Sequence, residues 1–179
     1  MVVLTLEPEQ VPKVISILEN LGPRLQKTMR GPLAEADSQP TAIHMKGLGF
    51  FPFKGHKLKT QDMNKPANVG FAEFDDQDPK WHHVKCCIDM IVRELIASGI
   101  VAEGGFDNVR LDAEEGLYTI KKPHITVLGT KKGGGGREPI DMDPILEKFG
   151  DFDFGFMGFE SLQLSKMDKD YTAESNVPL

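Results

Sequence analysis

A histidine and a threonine two positions apart form the part of this sequence best suited to chemistry. They stand in the segment Pro123-His124-Ile125-Thr126-Val127, whose β-branched residues predict a strand. Side chains two apart on a strand share a face at roughly 7 Å, so His124 and Thr126 could hold a small tetrahedral group. The imidazole can move a proton near neutral pH, and the hydroxyl can donate to an oxygen. Ile125 and Val127 should then face the core, although an ordinary surface pair on a half-buried strand has the same pattern.

Four further residues are candidates for binding an anionic substrate: Lys122, Lys46, Phe51 and His44. Lys46 follows His44 by two positions, so strand alternation would set the imidazole and the ammonium on one face. A lysine binds phosphate as a point charge. Phe51 could stack on a base or pack in the core. The other interpretation of His44 is a strand histidine with a backbone partner.

The remaining metal-ligand types point to ordinary structure. His82 and His83 lie at the start of a predicted helix and could contact a metal or phosphate, or form its exposed polar end. Cys86 and Cys87 follow in the same helix, and the chain has no other cysteine. A disulfide framework and a cysteine-rich zinc site are therefore not expected, and we predict no metal and no cofactor.

The elements that must position these residues alternate between helices and strands. Apolar residues at three- and four-residue intervals predict one helix over Val11–Leu21, ended by Gly22-Pro23, and another from Asp78-Pro79 to Gly99. A short helix is predicted from Asp143 to Lys148. The predicted strands are Val2–Leu6, Ile43–Phe53, Asn68–Phe74, Tyr118–Ile120, Lys122–Leu128, Phe152–Phe159, Glu160–Ser165 and Tyr171–Val177. This order favours one α+β domain over residues 1–179, with mainly antiparallel pairing and a basic hairpin loop at 54–65.

Composition limits the classes of partner. The chain has 179 residues, 40 % of them hydrophobic, which suits one globular domain and excludes a multidomain assembly. A net charge of −6 disfavours non-specific binding along a nucleic-acid backbone, which needs a broad basic face, but leaves room for a local phosphate site. No run approaches the roughly 20 apolar residues of a membrane-spanning helix, so no membrane partner is expected.

The order of several short motifs resembles the 2H phosphoesterase superfamily, which includes the LigT-like RNA cyclic phosphodiesterases. Lys122-Pro-His-Ile-Thr-Val resembles its H-x-[ST] motif, and His44-Met-Lys-Gly-Leu-Gly-Phe-Phe resembles the strand after its first helix. Ile96–Val101, Ile140–Phe156 and Ser161–Met167 are similar to segments of one subfamily. That subfamily is the phosphoesterase-like domain of A-kinase anchoring proteins and of the activating signal cointegrator 1 complex subunit.

The resemblance implies two pseudo-symmetric α+β lobes of mainly antiparallel sheet, with helices on the outer faces around a central cleft. It also implies one H-x-[ST] motif in each lobe. His124-Ile-Thr126 matches the second motif. The first should precede the first helix, where this chain has Val2–Leu6 and begins at Met1. We therefore expect a first lobe that is truncated at its N-terminus.

The function implied by the resemblance is hydrolysis or binding of RNA-derived or nucleotide phosphodiesters, 2',3'-cyclic or 2',5'-linked. It needs no metal: His124 would be the acid–base group and Thr126 would hold phosphate oxygens. With one motif, activity is expected to be impaired. The alternative hypothesis is a catalytically silent nucleotide-binding or protein-interaction module on the same fold. The resemblance further implies a protein partner in a signalling or transcription-coactivator complex, and a cytoplasmic or nuclear location.

Overall fold

The computed structural model describes residues 5–31, 42–53, 63–121, 123–129, 132–133, 136–166 and 172–179. Within these ranges the α-helices are α1 (Val11–Arg30), α2 (Pro79–Ala97) and α3 (Asp143–Phe149), and a 3-10 helix spans Pro8–Gln10. The strands are β1 (Ala42–Pro52), β2 (Pro66–Phe74), β3 (Val109–Leu111), β4 (Tyr118–Ile120), β5 (His124–Gly129), β6 (Lys132–Gly133), β7 (Gly136–Arg137), β8 (Ile140–Asp141), β9 (Asp153–Gly158), β10 (Ser161–Ser165) and β11 (Ala173–Pro178). Antiparallel pairs are β1–β2, β2–β5, β2–β8, β3–β4, β6–β7 and β10–β11. The predicted α+β class with mainly antiparallel pairing is thus confirmed.

The chain divides into two compact units, each built from separate stretches of sequence. The first unit comprises Met1–Ile43, Gln77–Lys122 and Gly158–Leu179, and contains α1, α2 and the β3–β4 and β10–β11 hairpins. The second unit comprises His44–Asp76 and Pro123–Met157, and contains α3 and the sheet that includes β1, β2 and β5. The predicted pairing of β1 with β2 is confirmed. Residues 54–62 of the loop between them lie outside the described residues.

Helix α1 continues past the glycine–proline pair at which the sequence predicts its end. Gly22 and Pro23 lie inside the helix, and the next two turns bury Leu25 and Met29. Burial of this extended apolar stripe against α2 and β11 outweighs the backbone hydrogen bond that Pro23 cannot donate. A methyl group on Gly22 would lie 2.9 Å from Val177 Cγ1, so the glycine lets β11 approach the helix. Tertiary packing therefore overrides the local stop signal.

Helix α2 begins and ends as predicted. Asp78 caps it by accepting a hydrogen bond from the Lys80 backbone N–H at 2.9 Å, and Pro79 takes the first helical position. After Ala97 the chain turns at Gly99, whose φ of 70° is the left-handed conformation that favours glycine. The buried face of α2 consists of Trp81, Val84, Cys87, Ile88, Asp89, Val92 and Leu95.

The second unit is built on a sheet with the strand order β5-β2-β1-β9, and β8 also pairs with the start of β2. One face of this sheet is covered by α3. Leu48 on β1 and Leu128 on β5 belong to an apolar cluster that also includes Met142 and, from α3, Ile145 and Leu146. This cluster lies on one face of the sheet, and the candidate site described below lies on the opposite face.

Two residues of β5 expected in the core are exposed instead. Ile125 is 37 % exposed and Val127 is 41 % exposed. The strand β5 lies at the edge of the sheet, and the α3 cluster reaches it at Leu128. A register shift also occurs here, because Thr126 is opposite Phe71 while Leu128 is already opposite the adjacent Gly70. Val127 is therefore the extra residue of a β-bulge, which interrupts the assumed alternation.

Two further expectations concern the strand predicted at the start of the chain and membrane-spanning helices. Residues 2–4 of the predicted strand Val2–Leu6 lie outside the described residues, and Thr5 and Leu6 form no strand. In the part of the chain that the structure describes, no helix combines the length and the apolar content needed to span a membrane.

Candidate active site

His124 and Thr126 lie on the edge strand β5 and point to the same face of the sheet. His124 is opposite Glu73 and Thr126 is opposite Phe71 on β2, with no register shift between the two pairs. Directly opposed residues of an antiparallel pair share a face. The ring of Phe71 also contacts the imidazole, with 4.8 Å between ring centroids. Both His124 and Thr126 are exposed on this face.

Phe51 on β1 completes a cluster of three rings around the imidazole. Its ring lies 4.6 Å from that of Phe71 and 4.9 Å from that of His124, which it meets edge-on at 79°. Phe71 is buried and Phe51 is half-buried. The rings of Phe51 and Phe71 pack against the imidazole from β1 and β2. His124 nevertheless remains exposed to solvent. The predicted ligand-binding residue Phe51 therefore lies beside His124.

Glu73 is a charged residue of this face that the sequence pattern did not single out. It is exposed and directly opposite His124. A methyl group on Gly49 of β1 would lie 2.6 Å from Glu73 Oε1 and 2.8 Å from Phe71 Cζ. The missing side chain at Gly49 thus makes room for both neighbours. The sequence did contain a signal for this position: Glu73 follows Phe71 by two positions on β2, and residues two apart on a strand share a face.

His44 occupies a different part of the second unit, between two carboxylates. Its Nδ1 lies 3.1 Å from Asp75 Oδ2 and its Nε2 lies 2.9 Å from Asp153 Oδ1. Its ring also packs on Phe156, with 5.0 Å between centroids. The hydrogen bond to Asp153, followed by that to Asp75, raises the pKa of His44 above its usual value. Both ring nitrogens of His44 are therefore already engaged. Its backbone oxygen also accepts from the Asp75 N–H at 3.0 Å.

Lys46 lies in a β-bulge of β1. Met45 is opposite Phe74 and Leu48 is opposite Ala72, so Lys46 and its neighbour share the position across from Glu73. The alternation holds up to this bulge, because Ile43 and Met45 are buried while His44 and Lys46 are not, so Lys46 lies on the same face of β1 as His44. Lys46 is exposed.

The charge of Lys46 acts on Asp153. The pKa of Asp153 is lowered first by a hydrogen bond from the Gly155 backbone N–H, then by His44, with Lys46 contributing last. Lys122, the other lysine proposed for anion binding, lies outside the described residues.

A cavity in the first unit is lined mainly by apolar side chains. It has a volume of about 1070 Å³ and is lined by residues of α1, α2 and β10, including Leu25, Met29, Ile88, Leu162 and Leu164. Polar side chains also contribute to the lining, among them Cys87, Lys166 and Glu174. His124 belongs to the second unit and is not among the described lining residues of this cavity.

The other histidines and cysteines do not form a metal centre within the described ranges. His82 Nε2 lies 3.4 Å from Cys86 Sγ, one turn later on α2. No group of three or more His, Cys, Asp or Glu side chains in the described part of the chain is arranged to hold a metal ion.

The face around His124 combines groups of complementary chemistry. The imidazole can give or accept a proton, the Thr126 hydroxyl can donate a hydrogen bond, and Phe51 offers an aromatic surface. Glu73 adds a carboxylate that accepts hydrogen bonds. Such a face suits an exposed ligand that has both polar groups for hydrogen bonds and an aromatic group for stacking.

Comparison with known proteins identifies a family for this chain. The family model described as the AKAP7 2'5' RNA ligase-like domain matches residues 1–176. A search among curated proteins finds no match. The matched range includes nearly all of both units and the segment His124-Ile-Thr126. The chain therefore belongs to the AKAP7 2'5' RNA ligase-like domain family, within the 2H phosphoesterase superfamily.

Proposed function

We propose that this chain binds RNA-derived or nucleotide phosphodiesters at His124 and Thr126 and hydrolyses their 2',3'-cyclic or 2',5'-linked bonds. The family description, which names an RNA ligase-like domain, supports ligands of this class. The observation that carries the proposal is the position of His124 and Thr126 on one exposed face, with Phe51 against the imidazole. A base of the ligand would stack on Phe51.

Each residue has a separate role in the proposed reaction. The Thr126 hydroxyl donates a hydrogen bond to a non-bridging oxygen of the phosphate, where negative charge increases in the transition state. Water attacks phosphorus and the bond to the leaving ribose oxygen breaks. One proton leaves the water and one reaches the leaving oxygen. His124 carries one of these two transfers, and no metal ion takes part.

Turnover by this chain is proposed to be slow. The 179 residues contain one H-x-T motif, so a second imidazole equivalent to His124 is not supplied by a second motif. His44 is a poor substitute, because Asp75 and Asp153 already engage both of its ring nitrogens. The second proton must then exchange with solvent. Since one acid–base group contributes roughly 10²–10⁴-fold, the rate should fall by about that factor relative to a two-histidine site.

The test is hydrolysis of adenosine 2',3'-cyclic phosphate and of a 2',5'-linked adenosine dinucleotide by the full chain. His124→Ala should reduce the rate by about 10²-fold or more, and Thr126→Ala should also reduce it. His82→Ala, on α2 of the first unit, is the matched control and should retain wild-type activity. Activity should persist in EDTA. Turnover that His124→Ala leaves unchanged would exclude this site.

The single H-x-T motif also favours a second candidate, a silent nucleotide-binding module. Calorimetry with adenosine monophosphates distinguishes the two candidates. Binding that requires His124 and Thr126, without hydrolysis of either substrate, would identify the silent module. If the chain shows no binding and no hydrolysis, both candidates are contradicted and a protein-interaction role is left.

A further inference from the structure

The face that carries His124 and Thr126 also carries a fixed negative charge. Glu73 is directly opposite His124 across the β2–β5 pair. Directly opposed residues have Cβ atoms about 5 Å apart. The imidazole of His124 extends across β2 as far as the Phe51 ring of β1, with 4.9 Å between ring centroids. A ligand bound at the imidazole would therefore lie over the same strands as the Glu73 side chain.

Two glycines of β1 provide the space that the Glu73 side chain occupies. A methyl group on Gly49 would lie 2.6 Å from Glu73 Oε1, and one on Gly47 would lie 3.5 Å from Oε2. Gly47 has a φ of 91°, which favours glycine at this bulge. The carboxylate therefore lies over β1, on the exposed face, where a larger residue at position 49 would displace it.

A carboxylate next to a phosphate site has a restricted chemistry. An ionised Glu73 can only accept hydrogen bonds and repels a phosphate oxygen. It cannot serve as a phosphate ligand. It can, however, accept a hydrogen bond from a hydroxyl group of the same ligand. In a ribonucleotide with a 3'-phosphate, the adjacent group is the 2'-hydroxyl, which a deoxyribonucleotide lacks.

We propose that Glu73 is a specificity-determining residue that accepts a hydrogen bond from the ribose hydroxyl adjacent to the bound phosphate. This inference rests on the proposed function, because it requires the phosphate to bind at His124 and Thr126. Glu73 weakens the binding of every phosphate by repulsion and recovers affinity where a neighbouring hydroxyl is present. The chain then prefers ribonucleotides through one side chain.

Calorimetry with three probes tests the proposal: adenosine 3'-monophosphate, 2'-deoxyadenosine 3'-monophosphate and inorganic phosphate. A hydrogen bond to a charged group corresponds to about a tenfold change in affinity or more, so the wild-type chain should prefer the ribonucleotide at least about tenfold. Glu73→Gln should lower this preference several-fold. The same change should leave inorganic phosphate bound as tightly as before or more tightly, because it removes the repulsion.

Two further variants separate specificity from structure. Glu73→Asp keeps the charge but shortens the side chain, so it should lose the ribose preference without any gain in affinity for inorganic phosphate. Glu147→Gln makes the same charge change on α3, which covers the other face of the sheet, and should behave as wild type. Thermal unfolding of each variant verifies that it is folded.

The possible failures differ from one another. If Glu73→Gln retains the wild-type ratio of ribonucleotide to deoxyribonucleotide affinity, Glu73 does not accept a hydrogen bond from the ribose hydroxyl. If Glu73→Gln weakens inorganic phosphate, the proposed repulsion is wrong. If His124→Ala leaves binding of all three probes unchanged, the phosphate does not bind at the proposed site, and the proposed function fails first.

Discussion

The ring of Phe71 on β2 lies 4.8 Å from the imidazole of His124 on β5. Phe71 is only 3 % exposed, and part of its ring lies over β1, where a methyl group on Gly49 would be 2.8 Å from Cζ. The position of the candidate acid–base group thus depends on a buried ring, and the ring depends on a glycine of a third strand. This chain of contacts makes the site sensitive to changes away from His124.

Gly49→Ala should destabilise the protein by about 1–3 kcal/mol, because the added methyl group forces Phe71 and Glu73 to move. Urea unfolding measures the change. Gly129→Ala on β5 is the matched control, since no atom lies within 4 Å of a methyl group there, and it should remain within about 0.5 kcal/mol of wild type. Equal stability of the two variants would contradict the close packing at Gly49.

The stability contributed by His44 should depend on pH. Its pKa is raised by Asp153 and then by Asp75, so the protonated imidazole is favoured in the folded chain. This contribution is fully present below the unfolded pKa of about 6.5 and is lost as the pH rises through the raised folded pKa. The difference in unfolding free energy between wild type and His44→Gln should therefore be larger at about pH 5.5 than at about pH 9.

Nuclear magnetic resonance titration of the His44 ring protons examines the same point directly. Asp153→Asn should lower the pKa of His44 relative to wild type, because it removes the first cause of the rise. Asp151→Asn, an exposed neighbour in the chain, is the control and should leave the His44 titration unchanged. A pKa of His44 at or below its usual value in the wild-type chain would contradict its hydrogen bonds to Asp75 and Asp153.

Asp89→Ala should destabilise the first unit by about 2 kcal/mol. Asp89 is buried and accepts hydrogen bonds at 2.8 Å from Arg93 Nε and at 2.9 Å from the Tyr118 backbone N–H. Its loss leaves the Tyr118 donor without this acceptor and detaches β4 from α2. Chemical unfolding measures the effect. Glu94→Ala, on the exposed side of α2, should stay within about 0.5 kcal/mol of wild type.

Cys87 should resist alkylation in the folded protein. Burial, and then the neighbouring Cys86, raise the pKa of its thiol to about 12. At about pH 8, its thiolate fraction is then about a thousandfold lower than that of a free cysteine, so iodoacetamide should label it correspondingly slowly. Mass spectrometry of the Cys86→Ser variant isolates this thiol, and labelling in urea supplies the unfolded reference. Rapid labelling of folded Cys86→Ser would show that Cys87 is accessible.

Local sequence signals were sufficient to predict those elements whose ends or exposed faces depend on neighbouring residues. The cap at Asp78 and the turn at Gly99 fix the ends of α2, and the apolar alternation of β1 and β2 predicts their pairing. Period two also predicts the shared face of His124 and Thr126, because successive side chains of any strand alternate. The pattern failed at Gly22 and Pro23, where burial of later residues overcomes a local stop signal.

The sequence by itself determined the α+β class, the family and the relationship between His124 and Thr126, since these follow from short-range periodicity and motif order. Only the tertiary structure decided which residues surround that pair. Strand register and packing place Glu73 opposite His124 and Phe51 against its imidazole, set His44 between Asp75 and Asp153, and leave Ile125 and Val127 exposed. Register depends on bulges and on packing between distant segments, and no local pattern of residues encodes it.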